Sequence, residues 1–199
     1  MYAVVKRTVD SRTVRYIERL HTRNFSATTA ADSVFLDSSL NTTAGGALST
    51  IYGLEWLEGQ TVGIVVEGRV QPQQTVANGA VSVTVASGET VCIGVPIQAD
   101  LQPLPMDRTS IVPNKKTVSN LTVRVRKTRG IQIGPASDDL VEVPDTITLY
   151  DTAPDLFTGD VEANIATGWQ DHIDFFIRQD HPLPVEILAI IPEVGVGGT

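Results

Sequence analysis

Three histidines, His21, His172 and His181, are the side chains best suited to move a proton near neutral pH. No His-x-x-x-His or His-x-Glu spacing occurs, so no local metal pair of the metalloprotease kind can form. His181 has the most suggestive setting. In Gln179-Asp180-His181-Pro182-Leu183-Pro184 a carboxylate precedes the imidazole, as a general base requires. Such a base needs a nucleophile, and no Gly-x-Ser-x-Gly elbow occurs in the chain. The plainer reading is a corner between two strands, in which Asp180 and Pro182 build the turn and His181 stands in solvent.

Carboxylates supply the other candidates. Asp151, Asp155 and Asp160 lie close together in a loop-like stretch, and closely spaced carboxylates bind calcium. Their spacing is not that of an EF-hand loop, and the glycine at its sixth position is missing. An acidic turn is the simpler reading, as it is for Asp138-Asp139. Asp171 and Asp174 are the pair a wall hydrolase could use. Cys92 is the only cysteine, which excludes an internal disulfide and a cysteine-based zinc site. The glycines from Gly195 to Gly198 are followed by neither a helix nor a lysine and read as a tail, not a phosphate loop. No catalytic constellation, metal site or cofactor motif emerges, and the expectation is a protein that is not an enzyme and binds no cofactor.

Cations fall into two groups. Arg7, Arg12, Arg15 and Arg19 lie with Lys6 in the first twenty residues. Arg124, Arg126, Lys127 and Arg129 form the densest later patch. Strand alternation places Arg124 and Arg126 on the face opposite Val123 and Val125. With 15 Lys and Arg against 23 Asp and Glu, the net charge is −8, which disfavours general nucleic-acid binding. All eight arginines and lysines named for these groups, Lys6 apart, are therefore candidate subunit contacts toward acidic neighbours. The competing reading of the later group is an edge strand guarded by charge.

The elements that must position these residues repeat with period two. Val62, Ile64 and Val66 alternate with Thr61, Gly63 and Val65, and Val81, Val83 and Val85 alternate with Ser82 and Thr84. The same holds for Val91, Ile93 and Val95; Leu121, Val123 and Val125; Ile131 and Ile133; Ile147 and Leu149; Ile173, Phe175 and Ile177; and Val185, Ile187 and Ala189. Asn78-Gly79 and Glu67-Gly68 are hairpin turns, and Val4–Asp10 with Arg12–Leu20 form another hairpin around Asp10-Ser11. Helix is confined to single turns at Leu54–Glu58 and Ala153–Phe157. At 42% hydrophobic content the 199 residues build a substantial core, and no apolar run approaches the ~20 residues that span a bilayer. The expected fold is all-β. A small barrel-like unit, residues 51–105, is inserted in or packed on an antiparallel sandwich-like unit, residues 1–50 with 106–199. Met1–Asp37 would pair with residues 115–194.

Three segments carry a resemblance. They are VVKRTVDSRTVRYIERL (Val4–Leu20), GLEWLEGQTVGIVVEGRVQPQQTVANGAVSVTV (Gly53–Val85) with IGVPIQADLQPLP after it, and LTVRVRKTRGIQIGP with the closing LFTGDVEANIATGWQDHIDFFIRQDHPLPVEILAIIPEV. In this order they resemble the tail nozzle proteins of short-tailed double-stranded DNA phages, also called tail tubular protein B or DNA stabilisation protein. Family members are several times longer, so the chain is expected to correspond to a C-terminal portion, excised or encoded alone. The resemblance implies a virion tail component assembled in the host cytoplasm. It implies a hexameric ring of identical copies below the portal and adaptor, with tail fibre or spike proteins as neighbours. Double-stranded DNA would be retained and then conducted without sequence-specific contacts, and no membrane anchor is implied. The alternative is a virion-surface binding module, a receptor-binding or decoration protein.

Overall fold

The chain is all-β. A computed structural model describes residues 1–20, 35–104, 114–143 and 155–197. Among the described residues the only helical element is a single 3₁₀ turn, Glu55–Leu57, where a helical turn is expected, and no helix is long and apolar enough to cross a membrane. The expected turn at 153–157 lies partly outside the described residues, and its described end is extended, because Phe157 opens a strand.

Two compact units divide the chain, one containing Met1–Ile97 and the other Gln98–Ile147 with Leu156–Thr199. In the first, strands β1 (Tyr2–Val9) and β2 (Arg12–Arg19) form a hairpin. Strands β3 (Asp37–Thr43), β4 (Leu48–Tyr52), β5 (Thr61–Val66), β6 (Arg69–Thr75), β7 (Ala80–Val85) and β8 (Thr90–Val95) follow. They make a four-stranded sheet, β3-β8-β5-β6, and a pair, β4-β7. Val62, Ile64 and Val66 of β5 meet Val81, Val83 and Val85 of β7 and Val91 and Ile93 of β8 in one core. This is the burial that period-two alternation dictates.

Three short hairpin turns close with two residues at positive φ: Asp10 and Ser11, Glu67 and Gly68, Asn78 and Gly79. That geometry matches the right-handed twist of the flanking strands. Pro72 sits in β6, which is an edge strand, where a missing N–H leaves no ladder bond unmade.

The second unit holds β9 (Ala99–Leu101), β10 (Lys116–Thr128), β11 (Gln132–Ala136), β12 (Asp139–Glu142), β13 (Phe157–Asn164), β14 (Phe176–Gln179) and β15 (Ile187–Val196). They form the sheets β13-β10-β15 and β12-β11-β14-β9. Val118, Leu121, Val123 and Val125 of β10 pack with Ile131, Ile133, Ile173, Phe175 and Ile177. In β15 the inward set is Ile187, Ile190 and Val194 rather than Ile187 and Ala189. A register shift facing Arg124 and Val125 inserts Leu188 as the extra residue, and parity changes beyond it.

Several expectations are corrected. No sheet among the described residues closes into a barrel; the expected barrel-like unit is an open sheet with a separate strand pair. The units divide near residue 97 rather than at 50 and 105; the expected hairpin of β1 and β2 forms, but among the described residues neither strand pairs with residues 115–194. The reason is β3, whose sequence Asp-Ser-Ser-Leu-Asn-Thr-Thr lacks apolar alternation yet pairs with β8 along the sheet edge. Ile147 and Leu149 lie outside the described residues.

Glycine makes both sheets possible at close approaches. Gly63 and Gly94 face each other across β5 and β8. A Cβ at Gly94 would stand 2.6 Å from the Asp37 carbonyl oxygen and 3.0 Å from Leu36 Cβ. In the second unit a Cβ at Gly134 would stand 1.8 Å from the Asp139 carbonyl oxygen. Gly94→Ala and Gly134→Ala should each destabilise the chain by about 1–3 kcal/mol or more through overpacking. Gly46→Ala, where nothing lies within 4 Å, should leave the urea midpoint almost unmoved. Equal midpoints for all three variants would contradict the packing described.

Candidate functional site

The corner at Gln179–Pro184 is built from inside. Gln179 is buried, and its Nε2 donates to the carbonyls of Arg129 at 2.7 Å and Leu183 at 3.2 Å. Its Oε1 accepts from the His181 backbone N–H at 3.2 Å. Pro182, Leu183 and Pro184 are buried, so the segment is not the exposed turn that its sequence suggests. His181 is half-buried rather than solvated. Its Nε2 lies 3.8 Å from Asp180 and 4.0 Å from Glu142, and Asp180 in turn accepts from Gln132 Nε2. Gln179, which the sequence did not single out, is the residue that fixes the corner. Gln179→Ala should cost about 1–3 kcal/mol, because it strands buried backbone groups, and His181→Ala should cost less. Chemical denaturation of the two variants checks the order.

Of the other candidate carboxylates, Asp160 is engaged through its side chain, whereas Asp171 takes part through its backbone carbonyl alone. Asp160 accepts from Arg124 Nε and Nη2 at 2.7 and 2.8 Å, and Asp151 lies outside the described residues. The Asp171 carbonyl accepts from the buried Lys116 Nζ at 2.9 Å. Among the described residues no group of three or more His, Cys, Asp or Glu is placed to hold a metal. Burial pushes the Cys92 thiol up to about 11, which keeps it neutral and unreactive. The carboxyls of Glu18 and Asp160 are held below the usual range by their arginine partners, Glu89 by the Ala86 N–H and then Arg69, and Asp100 by Arg178. That direction is the signature of ion pairing; a general acid needs the opposite shift. One cleft of about 210 Å³ opens beside Val125, Ile131, Val143, Phe157 and Val161. It is smaller than the ~300–1,000 Å³ of most small-molecule pockets.

The cations separate into two kinds. Arg124 and Arg126 do share the face opposite Val123 and Val125, and each forms a two-pronged pair within the chain, to Asp160 and to Glu186. Lys127 sits at a bulge with φ +47°, its N–H donating to Thr158 Oγ1, and the Arg129 N–H donates to the Pro184 carbonyl. Arg7 makes two 3.0 Å bonds to Glu18, which also accepts from Ser38 Oγ. Arg12 pairs with Asp10 at 2.9 Å.

Arg15 and Arg19 differ. The register sets Tyr2 opposite Arg19, Val4 opposite Ile17, Lys6 opposite Arg15 and Thr8 opposite Thr13. These eight side chains share one face, and all eight are exposed. Val4 and Ile17 are 71% and 77% exposed. The face carries three cations and no acid, and among the described residues Lys6, Arg15 and Arg19 form no ion pair. This sheet face, whose other side is half-buried, presents apolar and cationic groups together, the composition that interaction surfaces use. Strand alternation already sends Lys6 and Arg7 to opposite faces; the register adds that Lys6, Arg15 and Arg19 share one face, while Arg7 and Arg12 lie on the other.

The Glu18 carboxyl gives a pH test. A folded-state pKa below the unfolded value of about 4.3 adds stability that is complete above that value. The gain is lost as pH falls through the lowered one. Glu18→Gln should cost about 1–2 kcal/mol at neutral pH, as a charge-assisted, part-buried pair does. It should also shrink the loss of stability below about pH 4. An unchanged acid limb in unfolding free energy against pH would refute the role given to Arg7–Glu18. Searches against protein-family models and curated protein sequences return no match to this chain.

Proposed function

We propose that this chain is a structural component of a phage tail, akin to the C-terminal portion of the nozzle, that assembles with copies of itself around a DNA conduit. The observation that carries the reading is the hairpin face, which offers apolar and cationic side chains outward on a chain whose remaining charge is strongly negative. The segments that resemble nozzle proteins supply most of its strands. The first is the β1-β2 hairpin; the second spans the 3₁₀ turn through β7, and its continuation holds the end of β8 and β9; the third contributes the later part of β10 from Leu121, most of β11, and later β13, β14 and most of β15. Antiparallel sheets whose cations pair across strands suit a part that bears load and transmits force rather than one that turns over substrate. An acid-rich conduit wall would also repel the phosphate backbone and let DNA slide.

Negative-stain electron microscopy of the purified protein at low salt is the test. Closed annular particles with a central channel, six-fold as the resemblance implies, are expected. Monomers at all concentrations would favour the virion-surface binding module instead.

A further inference from the structure

We propose that the exposed face of the β1-β2 hairpin docks on the acidic surface of a second copy of this chain, in a head-to-tail contact. The inference rests on the self-assembly in the reading above and names the face that makes it.

Three observations lead there. First, Lys6 and Arg15 stand directly opposite each other on the exposed face. Like charges in that position destabilise a strand pair, and an acidic partner removes the penalty. Second, Val4 and Ile17 form the adjoining cross-strand pair, so the same partner covers apolar surface next to the charges. Third, charge is divided along the chain. Residues 1–20 hold five Lys and Arg against two Asp and Glu, a net +3. The rest holds ten against 21, a net −11. Most described cations outside the hairpin are already paired or buried, as Arg69 is with Glu89, Arg124 with Asp160, Arg126 with Glu186 and Arg178 with Asp100. Asp138, Asp139 and Glu162 remain exposed. A second copy therefore supplies what the hairpin lacks.

The same charges decide the symmetry. Two hairpins placed face to face would set Lys6 and Arg15 against Lys6 and Arg15, so a two-fold contact of hairpin on hairpin is disfavoured. The contact joins different surfaces, and unless two copies satisfy it reciprocally as a dimer it builds rings or filaments. They also decide against the other partner this face suggests. An anionic lipid surface would attract the hairpin but repel a body of charge −11.

Light scattering after size exclusion tests the proposal on the full chain. Wild type should assemble at about 0.05 M NaCl and shift toward the monomer mass at about 0.5 M, where charges more than a few ångströms apart are screened. Lys6→Glu/Arg15→Glu should remain a monomer at protein concentrations where wild type assembles, with a near-native thermal midpoint. Should that variant misfold, Lys6→Gln/Arg15→Gln applies the same test. Mixed with wild type, the reversed chain still offers its acidic surface, so it should cap growth and lower the mean mass. Assembly of the reversed variant equal to wild type would overturn the docking face and leave the tail reading standing. A wild-type chain monomeric at every salt concentration would remove the ring reading along with it. Binding of that monomer to phosphatidylserine vesicles would reassign the face to a membrane.

Discussion

The second unit depends on the parity of one strand. A β-strand sends alternate side chains to opposite faces, and β10 is thirteen residues long. Its apolar residues are not spaced for strict alternation. Val118 and Leu121 are three apart, and so are Val125 and Thr128, yet all four are buried. Two register shifts reconcile them. One lies between Val118 and Leu121 against β15, where Ser119 and Asn120 both face solvent and both reach Glu193. The other lies between Val125 and Thr128 against β13, where Lys127 takes φ +47°. Each bulge adds one residue and returns the strand to the core-facing phase. Without them half the strand would turn its apolar side to water.

That phase also fixes what the arginines do. Once Val123 and Val125 face the core, Arg124 and Arg126 must face outward, beside Asp160 of β13 and Glu186 just before β15. Guanidinium groups so placed meet carboxylates two-pronged within their own sheet. The densest basic patch in the sequence is thereby largely neutralised internally. Of the sparser cations of the first hairpin, Lys6, Arg15 and Arg19 are left on a face without acid. Density of charge in sequence is a poor guide to charge on offer, because the neighbours that cancel it arrive from strands dozens of residues away.

How much was legible follows from the same physics. Strands with buried apolar alternation, such as Val62–Val66 or Leu121–Val125, announce themselves, and so do two-residue turns such as Asn78-Gly79. Edge strands do not. β3 carries mostly Ser, Asn and Thr, and β9 is three exposed residues. Each is held by a ladder to a neighbour and by no burial pattern of its own. Missing β3 moved the expected boundary between the units. The closing corner was legible as a turn between strands, but its burial was not, for a related reason: a glutamine whose amide and carbonyl both turn inward leaves no trace in hydropathy, while a histidine beside an aspartate attracts notice. The division of the hairpin cations between two faces was implicit in alternation, but the face that Glu18 and Ser38 cover needed the fold.

The hairpin is held from its covered side, and this bears on how well it can recognise a partner. Val9 is buried, the Asp10 N–H donates to the Glu58 carbonyl, and Gln60 Nε2 donates to the Thr8 carbonyl at 2.5 Å. Arg7 and Glu18 lock the two strands together, and Ser38 anchors Glu18 to β3. The two-residue turn at Asp10-Ser11 sets the register that brings Lys6 beside Arg15 and Val4 beside Ile17. A face assembled in this way is ordered before it meets anything. Binding then loses little backbone entropy, and affinity follows more closely from the contacts made. The like-charged pair belongs to the same logic. Its repulsion is a modest cost of a few tenths of a kcal/mol, up to about 1 kcal/mol, in the free chain, set against a clamp of charge-assisted bonds beneath it. A sheet so held can keep an unfavourable pair on display, and an acidic partner then gains both the attraction and the relief of that repulsion.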